Sequence, residues 1–303
     1  VADPLTLIVP ESLDESRLDK ALATILEISR AAARVLVDQG VTVNGEPARS
    51  SDRVGAGATL VTPPPATEAG LIAEEVPFEV AYEDPSFLVV DKPAGITVHP
   101  GSGRSQGTLA AGLLHRYPEL EGVGQAGRWG LVHRLDKETS GTMIVARTTP
   151  AFDALTSALA RHEIERIYLA VAHGRFAAPT GTIDAPIGPD PGRPTRRALS
   201  PTGKPAVTHY EVLEELGEAS LLEVRLETGR THQIRVHLAA IEHPVLGDRT
   251  YSPQPAVRRA PRVMLHARFV EFDHPVTRER LAVEAPVPQD MEEVIAGLRR
   301  SGS

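Results

Sequence analysis

The chain has 303 residues, 41% of them hydrophobic and 24% charged, an ordinary globular composition with room for one large domain and one small one. It contains no cysteine, which excludes disulfides and thiolate metal sites and fits a reducing compartment, so a cytoplasmic location is expected. A net charge of −8 argues against a uniformly basic nucleic-acid binder, and 4% aromatics argues against a single-strand binder built on stacking platforms.

In chain order, residues 13–61 read as a small module. Leu18, Leu22, Ile25 and Leu26 fall on one helical face. Ser29 suits an N-cap, with Arg30 to Gln39 as a second helix ended by Gly40. Asn44-Gly45 is a hairpin signal, and Val54 and Thr59-Leu60-Val61 read as further short strands. Residues 1–62 carry six Lys/Arg against nine Asp/Glu, a net of −3. The run from Thr62 through Pro63-Pro64-Pro65 to Gly70 is a linker, stiff in its proline part. The expected division is 1–62, linker 63–75, and a large domain over 76–303. Strands are predicted at 78–82, 87–90, 168–172, 207–213, 221–226 and 267–272, and helices at 108–115, 150–162 and 292–298. Strands dominate and helices are interspersed irregularly, which predicts an α+β fold with a mixed, largely antiparallel sheet. Two basic stretches without acids, Arg193 to Lys204 and Arg258 to Arg268, contain prolines and read as loops near an active face. No run approaches the roughly 18 apolar residues of a membrane span. Val1-Ala2-Asp3-Pro4 does not read as a signal peptide, so no membrane contact is expected.

Chemistry concentrates at Gly130-Leu-Val-His-Arg-Leu-Asp-Lys-Glu-Thr-Ser-Gly141. An apolar entry (Leu131, Val132) leads into a polar turn and then a second apolar run (Met143, Ile144, Val145). In extended backbone Arg134 and Asp136 would point the same way, and a carboxylate beside a guanidinium stays ionised, which suits a nucleophile or base. A purely structural Arg–Asp pair at a strand end has the same pattern. Other signals carry less. Gly122-Val-Gly-Gln-Ala-Gly127 matches a dinucleotide fingerprint in letters but follows no strand and opens no helix. His232 and His237 are spaced wrongly for two metal ligands on one helix face, and no thiol completes a set, so no metal is expected. Ser140 lacks the nucleophile elbow of a serine hydrolase.

His133-Arg-Leu-Asp-Lys-Glu-Thr-Ser-Gly141 resembles the signature of the RluA family of pseudouridine synthases, with Glu138 where Asp is usual and Trp129 where Pro is usual. Asp91-Lys-Pro-Ala-Gly95 with Val98-His-Pro-Gly101, Arg161 to Tyr168, and Leu226 to His237 resemble three further family segments, in order. Gly203 to Tyr210, His243 to Asp248 and Pro286 to Met291 narrow the resemblance to the RluD type, which acts on large-subunit ribosomal RNA. Arg17-Leu-Asp-Lys20, Ser29-Arg30 and Val43-Asn-Gly45 resemble an S4 RNA-binding domain.

The resemblance implies isomerisation of uridine to pseudouridine in RNA. The C1′–N1 bond breaks, the base turns, and C5 joins C1′. The expected catalytic set is Asp136, Tyr168, Arg235 and Arg134. Asp136 either attacks C1′ or removes a proton from C2′. Arg235 is the expected partner of Asp136, with Arg230 as the alternate. Tyr168 packs on the uracil, since a phenol near pKa 10 is a poor base at pH 7. Arg134 fills the gap left by the flipped base. RNA contacts are expected from Arg17, Lys20, Arg30 and Arg34 in the small module, and from His133, Arg230 and His232. No cofactor is implied. The implied partner is 23S ribosomal RNA or the assembling large subunit, with a loop-closed stem, helix 69, as target and RluC-type positions as the nearest rival, and the protein is expected to be a monomer. Two other readings stay open: an RNA-binding scaffold of ribosome assembly without catalysis, and a nucleoside-level glycosidase on the same fold.

Overall fold

The computed structural model describes residues 4–26, 28, 30–63, 71–99, 106–124, 127–193, 196–257 and 259–302. The expected cap at Ser29, the linker core 64–70, Pro100-Gly101 and Arg258 lie outside the described residues. The chain divides into two compact units, residues 1–72 with 125–129, and residues 73–124 with 130–303.

In the first unit, helices Leu18–Ile25 and Arg30–Asp38 pack against short strands. Leu18, Ala21 and Leu22 come from one helix, Ala33, Leu36 and Val37 from the other, and Val54 and Leu60 from the strands. Asn44 (φ 52°) and Gly45 (φ 88°) turn the chain between strands Thr42–Val43 and Glu46–Pro47 through two left-handed residues, as a tight hairpin demands. The strand Leu5–Ile8, unforeseen in the sequence, pairs with Thr59–Thr62.

The second unit is built on a nine-stranded sheet. From one edge its order is Thr180–Asp184, Val207–Glu215, Ala219–Leu226, Glu165–His173, Leu265–Asp273, Ser140–Ala146, Phe87–Lys92 and Glu79–Glu83. Arg280–Glu284 pairs with Leu265–Asp273. Neighbours run antiparallel except Leu265–Asp273 beside Ser140–Ala146, which are parallel, with His266 opposite Ser140 and Ala267 opposite Gly141. The fold is therefore α+β with a mixed, mainly antiparallel sheet. All seven residues of Ser140–Ala146 are buried, so the strand shows no alternation: Ser140, Gly141 and Thr142 lead into the apolar run Met143 to Ala146. Helix Thr149–Ala160, capped by the Thr148 hydroxyl, covers it with Phe152 and Leu155 against Val89, Ile144 and Phe272.

The parallel pair sets the approach to the site. Gly141 has φ +112°, and a Cβ there would stand 2.1 Å from the Ala267 carbonyl oxygen. Only glycine lets the two backbones meet at this point. One expectation is corrected. The stretch Arg258 to Arg268 is not a free basic loop. Arg262 is buried against Asp290, Arg259 pairs with Glu218, and Arg268 lies in a strand and pairs with Glu284. These cations are taken up by acids from distant parts of the chain.

Candidate active site

Asp136 sits on the loop that feeds strand Ser140–Ala146. Leu131 forms only an isolated bridge to Val145, so the expected strand entry at 131–132 is a single contact. Three groups pin the loop backbone from outside it. Gly95 N–H and Lys92 Nζ donate to the Lys137 carbonyl at 2.8 and 3.2 Å, and Arg262 Nη1 donates to the Glu138 carbonyl at 3.3 Å. Lys92 is fully buried and also donates to the carbonyls of Pro93 and Ile96. Burial pushes its ammonium down to about 8, because a charged amine loses its hydration there. The Asp91-Lys92-Pro93-Ala94-Gly95 segment is thus the clamp that shapes the Asp136 loop. Glu138 contributes its carbonyl, while its side chain reaches outward to Lys137.

Asp136 Oδ2 accepts from Arg235 Nη1 at 2.9 Å. Its Oδ1 accepts no hydrogen bond from the described residues, leaving one oxygen for chemistry. Arg235 is 7% exposed and comes from helix Gln233–Ala240. Its other face is a fork on Asp248, Nε to Oδ2 at 2.7 Å and Nη2 to Oδ1 at 2.9 Å. Asp248 is wholly buried and takes the backbone N–H groups of Thr250 and Tyr251 as well. Burial opposes the Arg235 charge, but the hydrogen bonds and charges of Asp248 and Asp136 outweigh it and hold the guanidinium above its ordinary value. A bidentate fork fixes the arginine plane and hence the Asp136 carboxylate.

Tyr251 lies 5.2 Å from the Arg235 guanidinium, ring centroid to Cζ. Its hydroxyl accepts from Arg197 N–H at 3.0 Å and meets His232 Nδ1 at 2.9 Å. The other imidazole nitrogen of His232, Nε2, lies 3.9 Å from Asp136 Oδ2. Burial lowers His232, with Asp136 opposing. His232 has left-handed backbone (φ 60°) at the start of its helix, a conformation that clusters at functional sites when a non-glycine residue adopts it.

Asp136, His232 and Arg235 line a cleft of about 540 Å³. Tyr168, 6% exposed, forms part of its wall, and burial raises its phenol above the ordinary value. Arg134 is exposed at the same cleft and forms no ion pair with Asp136, because the loop at 134–136 is not extended strand. Arg230 lines the cleft but donates to the Pro205 carbonyl, at 2.9 Å, rather than to Asp136. Burial, with the Arg166 charge nearby, pushes His133 down to about 3, and its Nε2 accepts from Ile144 N–H at 3.0 Å. It is neutral and carries no charge to offer a phosphate.

In the first unit, Asp19 is wholly buried beneath three guanidiniums. Arg17, Arg30 and Arg34 reach it at 3.1, 2.9 and 3.0 Å, each about half exposed. These hydrogen bonds and charges outweigh burial and hold the Asp19 carboxyl below its ordinary range. Lys20 is exposed on the same helix. Sequence reasoning gave no role to Lys92, Arg166, Asp248 or Tyr251. The family-like segments contain three of them, but only the tertiary contacts show what they hold.

A family model described as RNA pseudouridylate synthase matches residues 86–240, and an S4 domain model matches residues 16–60. Ribosomal large subunit pseudouridine synthase D of Escherichia coli strain K12 is 40% identical over 311 residues, covering 97% of this chain and 94% of that protein. The protein of the same name from Vibrio vulnificus is 41% identical over 312 residues, covering 98% and 95%. Among solved structures, human RNA pseudouridylate synthase domain containing 1 is 27% identical, with a TM-score of 0.57 over 74% of this chain and 95% of that one. The chain belongs to the RNA pseudouridylate synthase family and carries an S4 domain.

Proposed function

We propose that this chain converts specific uridines of large-subunit ribosomal RNA to pseudouridine, with Asp136 as the essential carboxylate. The observation that carries the reading is Asp136 at the cleft, one oxygen held by Arg235 and the other accepting no hydrogen bond from the described residues, with Tyr168 lining the same cavity. The isomerisation consumes no electron pair from a cofactor and no water. It needs one carboxylate to act at the ribose, either on C1′ or on the C2′ proton, and a surface against which the uracil can turn. Tyr168 supplies that surface. Arg235 orients Asp136. Arg134, at the exposed side, takes the space that the flipped base leaves in the RNA. Arg230 and His232 line the same wall and contact the substrate backbone. We assign residues 76–303 to catalysis, 63–75 to a linker and 1–62 to RNA binding, with Arg17, Lys20, Arg30 and Arg34 on phosphates. The names of the relatives support large-subunit RNA as substrate. A cytoplasmic monomer acting on free or assembling large-subunit RNA completes the reading.

The test is Asp136→Asn. The amide keeps the shape and is neither nucleophile nor base. Incubation with unmodified large-subunit RNA transcript containing [5-³H]uridine should release tritium with wild type, and chemical mapping should place pseudouridine at discrete positions. The variant should lose about 10⁴-fold or more in turnover while filter binding stays close to wild type. Activity within tenfold of wild type sinks the assignment of Asp136. Binding without any conversion by wild type favours the scaffold reading.

A further inference from the structure

Arg166 lines the cleft with no carboxylate partner among the described residues. It lies on strand Glu165–His173, two residues before Tyr168, so the two side chains leave the same face. It is 6% exposed. The other two buried arginines among the described residues, Arg235 and Arg262, each fork onto a carboxylate. Arg166 forms no ion pair among the described residues. Its Nε has no acceptor, and Nη2 makes only two long contacts, to the Leu226 and Glu227 carbonyls at 3.5 and 3.4 Å. His133, nearby, is neutral and offers no counter-charge. Gly229 leaves room for the group, since a Cβ there would stand 2.8 Å from Arg166 Nη1. A guanidinium stays charged in proteins, and burying one unpaired costs stability unless something else uses it.

We propose that Arg166 is a catalytic residue that stabilises the negative charge developing on the uracil as the C1′–N1 bond breaks. The inference rests on the pseudouridine synthase reading above. In that step the bonding pair of C1′–N1 leaves with the base, and the charge spreads over N1, O2 and O4. The ribose is meanwhile compensated by Asp136, through a bond to C1′ or by taking the C2′ proton. C5 then bonds to C1′ as the Asp136–C1′ bond breaks, or as Asp136 returns its proton to C2′; the C5 proton is lost and N1 regains a proton, so the whole is an isomerisation. Uracil enters neutral and becomes anionic only after cleavage begins. A fixed cation beside Tyr168 therefore binds the transition state more strongly than the substrate, which is the differential that accelerates a reaction. A phosphate at the same place would carry its charge throughout and gain affinity instead of rate.

Arg166→Met, Arg166→Gln and Arg166→Lys separate these outcomes in single-turnover assays on two stem-loop RNAs. One carries uridine at the target. The other carries 5-fluorouridine, whose fluorine already stabilises the departing anion. Arg166→Met should slow conversion of uridine by about 10²–10³-fold, the scale of losing one charge-stabilising donor. Arg166→Lys should recover part of that loss. On 5-fluorouridine the Met defect should shrink by about tenfold or more, because the leaving group needs less help. RNA affinity and its salt dependence should match wild type. Equal defects on both RNAs overturn the proposal, as does a salt slope lower by about 0.7, the mark of one phosphate no longer neutralised on single-stranded RNA. If Arg166→Met fails to fold, the Gln and Lys variants carry the same comparison. Wild type that forms no pseudouridine overturns the functional reading, whereas wild-type turnover with an unimpaired Arg166→Met overturns this inference alone.

Discussion

Arg235 stands between two carboxylates, and that position decides what its loss should do. Removing it leaves Asp248 buried with two of its charge-assisted bonds gone, and removing one partner of a buried pair costs about 3–5 kcal/mol. It also frees Asp136 from the one arginine that ion-pairs with it among the described residues. Arg235→Met should therefore lose both stability and turnover. Arg235→Met with Asp248→Leu removes the stranded charge and should recover most of the urea midpoint without recovering turnover, which separates orientation of Asp136 from folding. Arg230→Met should keep kcat within about tenfold of wild type, since the hydrogen bond that Arg230 Nε donates goes to the Pro205 carbonyl and not to Asp136. A larger turnover loss in Arg230→Met than in Arg235→Met would reverse the pairing read from the geometry. Asp136 and Tyr168 stand out in the sequence through family-like segments. Asp248 also ends a family-like segment, but its pairing with Arg235 is not legible there, because an acid 13 residues after an arginine signals no contact until a turn brings the two together.

At the scale of elements, what is legible follows periodicity. Helices Leu18–Ile25 and Thr149–Ala160 show one apolar face each, and the sequence places both to within two or three residues at their ends. Helix Gln233–Ala240 escapes it, because its residues from Gln233 to Leu238 are all buried, leaving no polar face to mark a period. Strand Leu5–Ile8 is mostly exposed and Thr180–Asp184 lies at a sheet edge, so neither has an apolar alternation to read. The parallel junction of Leu265–Asp273 with Ser140–Ala146 joins segments over a hundred residues apart, beyond any local signal. That junction has a pH signature. His266 is fully buried there, bonded to Ser140 Oγ at 3.0 Å, and burial pushes it down to about 4 from the usual 6.5. Between those values the unfolded chain holds the proton and the folded one does not. Stability contributed by this group is thus present above pH 6.5 and lost as pH falls toward 4, by up to about 1.4 kcal/mol per unit. His266→Gln should have a lower urea midpoint than wild type at pH 7, and the gap should narrow toward pH 4. Midpoints that fall in parallel would show that His266 is not the proton-linked group.

At the scale of the whole molecule, each unit has its own apolar core, one drawn from residues 9–60 and one from residues 87–283. Every residue assigned to chemistry lies in the second. The first carries a net of −3 over residues 1–62, which taken as a sum predicts a poor grip on RNA. The sum ignores placement. Arg17, Arg30 and Arg34 gather around one buried Asp19, so one face holds three guanidiniums against a single carboxylate. Sequence spacing puts Arg30 and Arg34 one turn apart but has no means of bringing Arg17 to them. Deleting residues 1–66 should therefore spare the chemistry and weaken selection of the right RNA. A second, modest grip raises apparent affinity through effective concentration. Each phosphate that these arginines neutralise on single-stranded RNA adds about 0.7 to the slope of log K against log salt. Without the module, that line should become shallower by the amount due to two or three phosphates. The truncated protein should still modify a short stem-loop at high concentration, with kcat/KM on full-length large-subunit RNA clearly reduced. If slope and kcat/KM both match the full chain, the arginine face does not touch the substrate, and the acidic balance of the module describes it better than its cluster does.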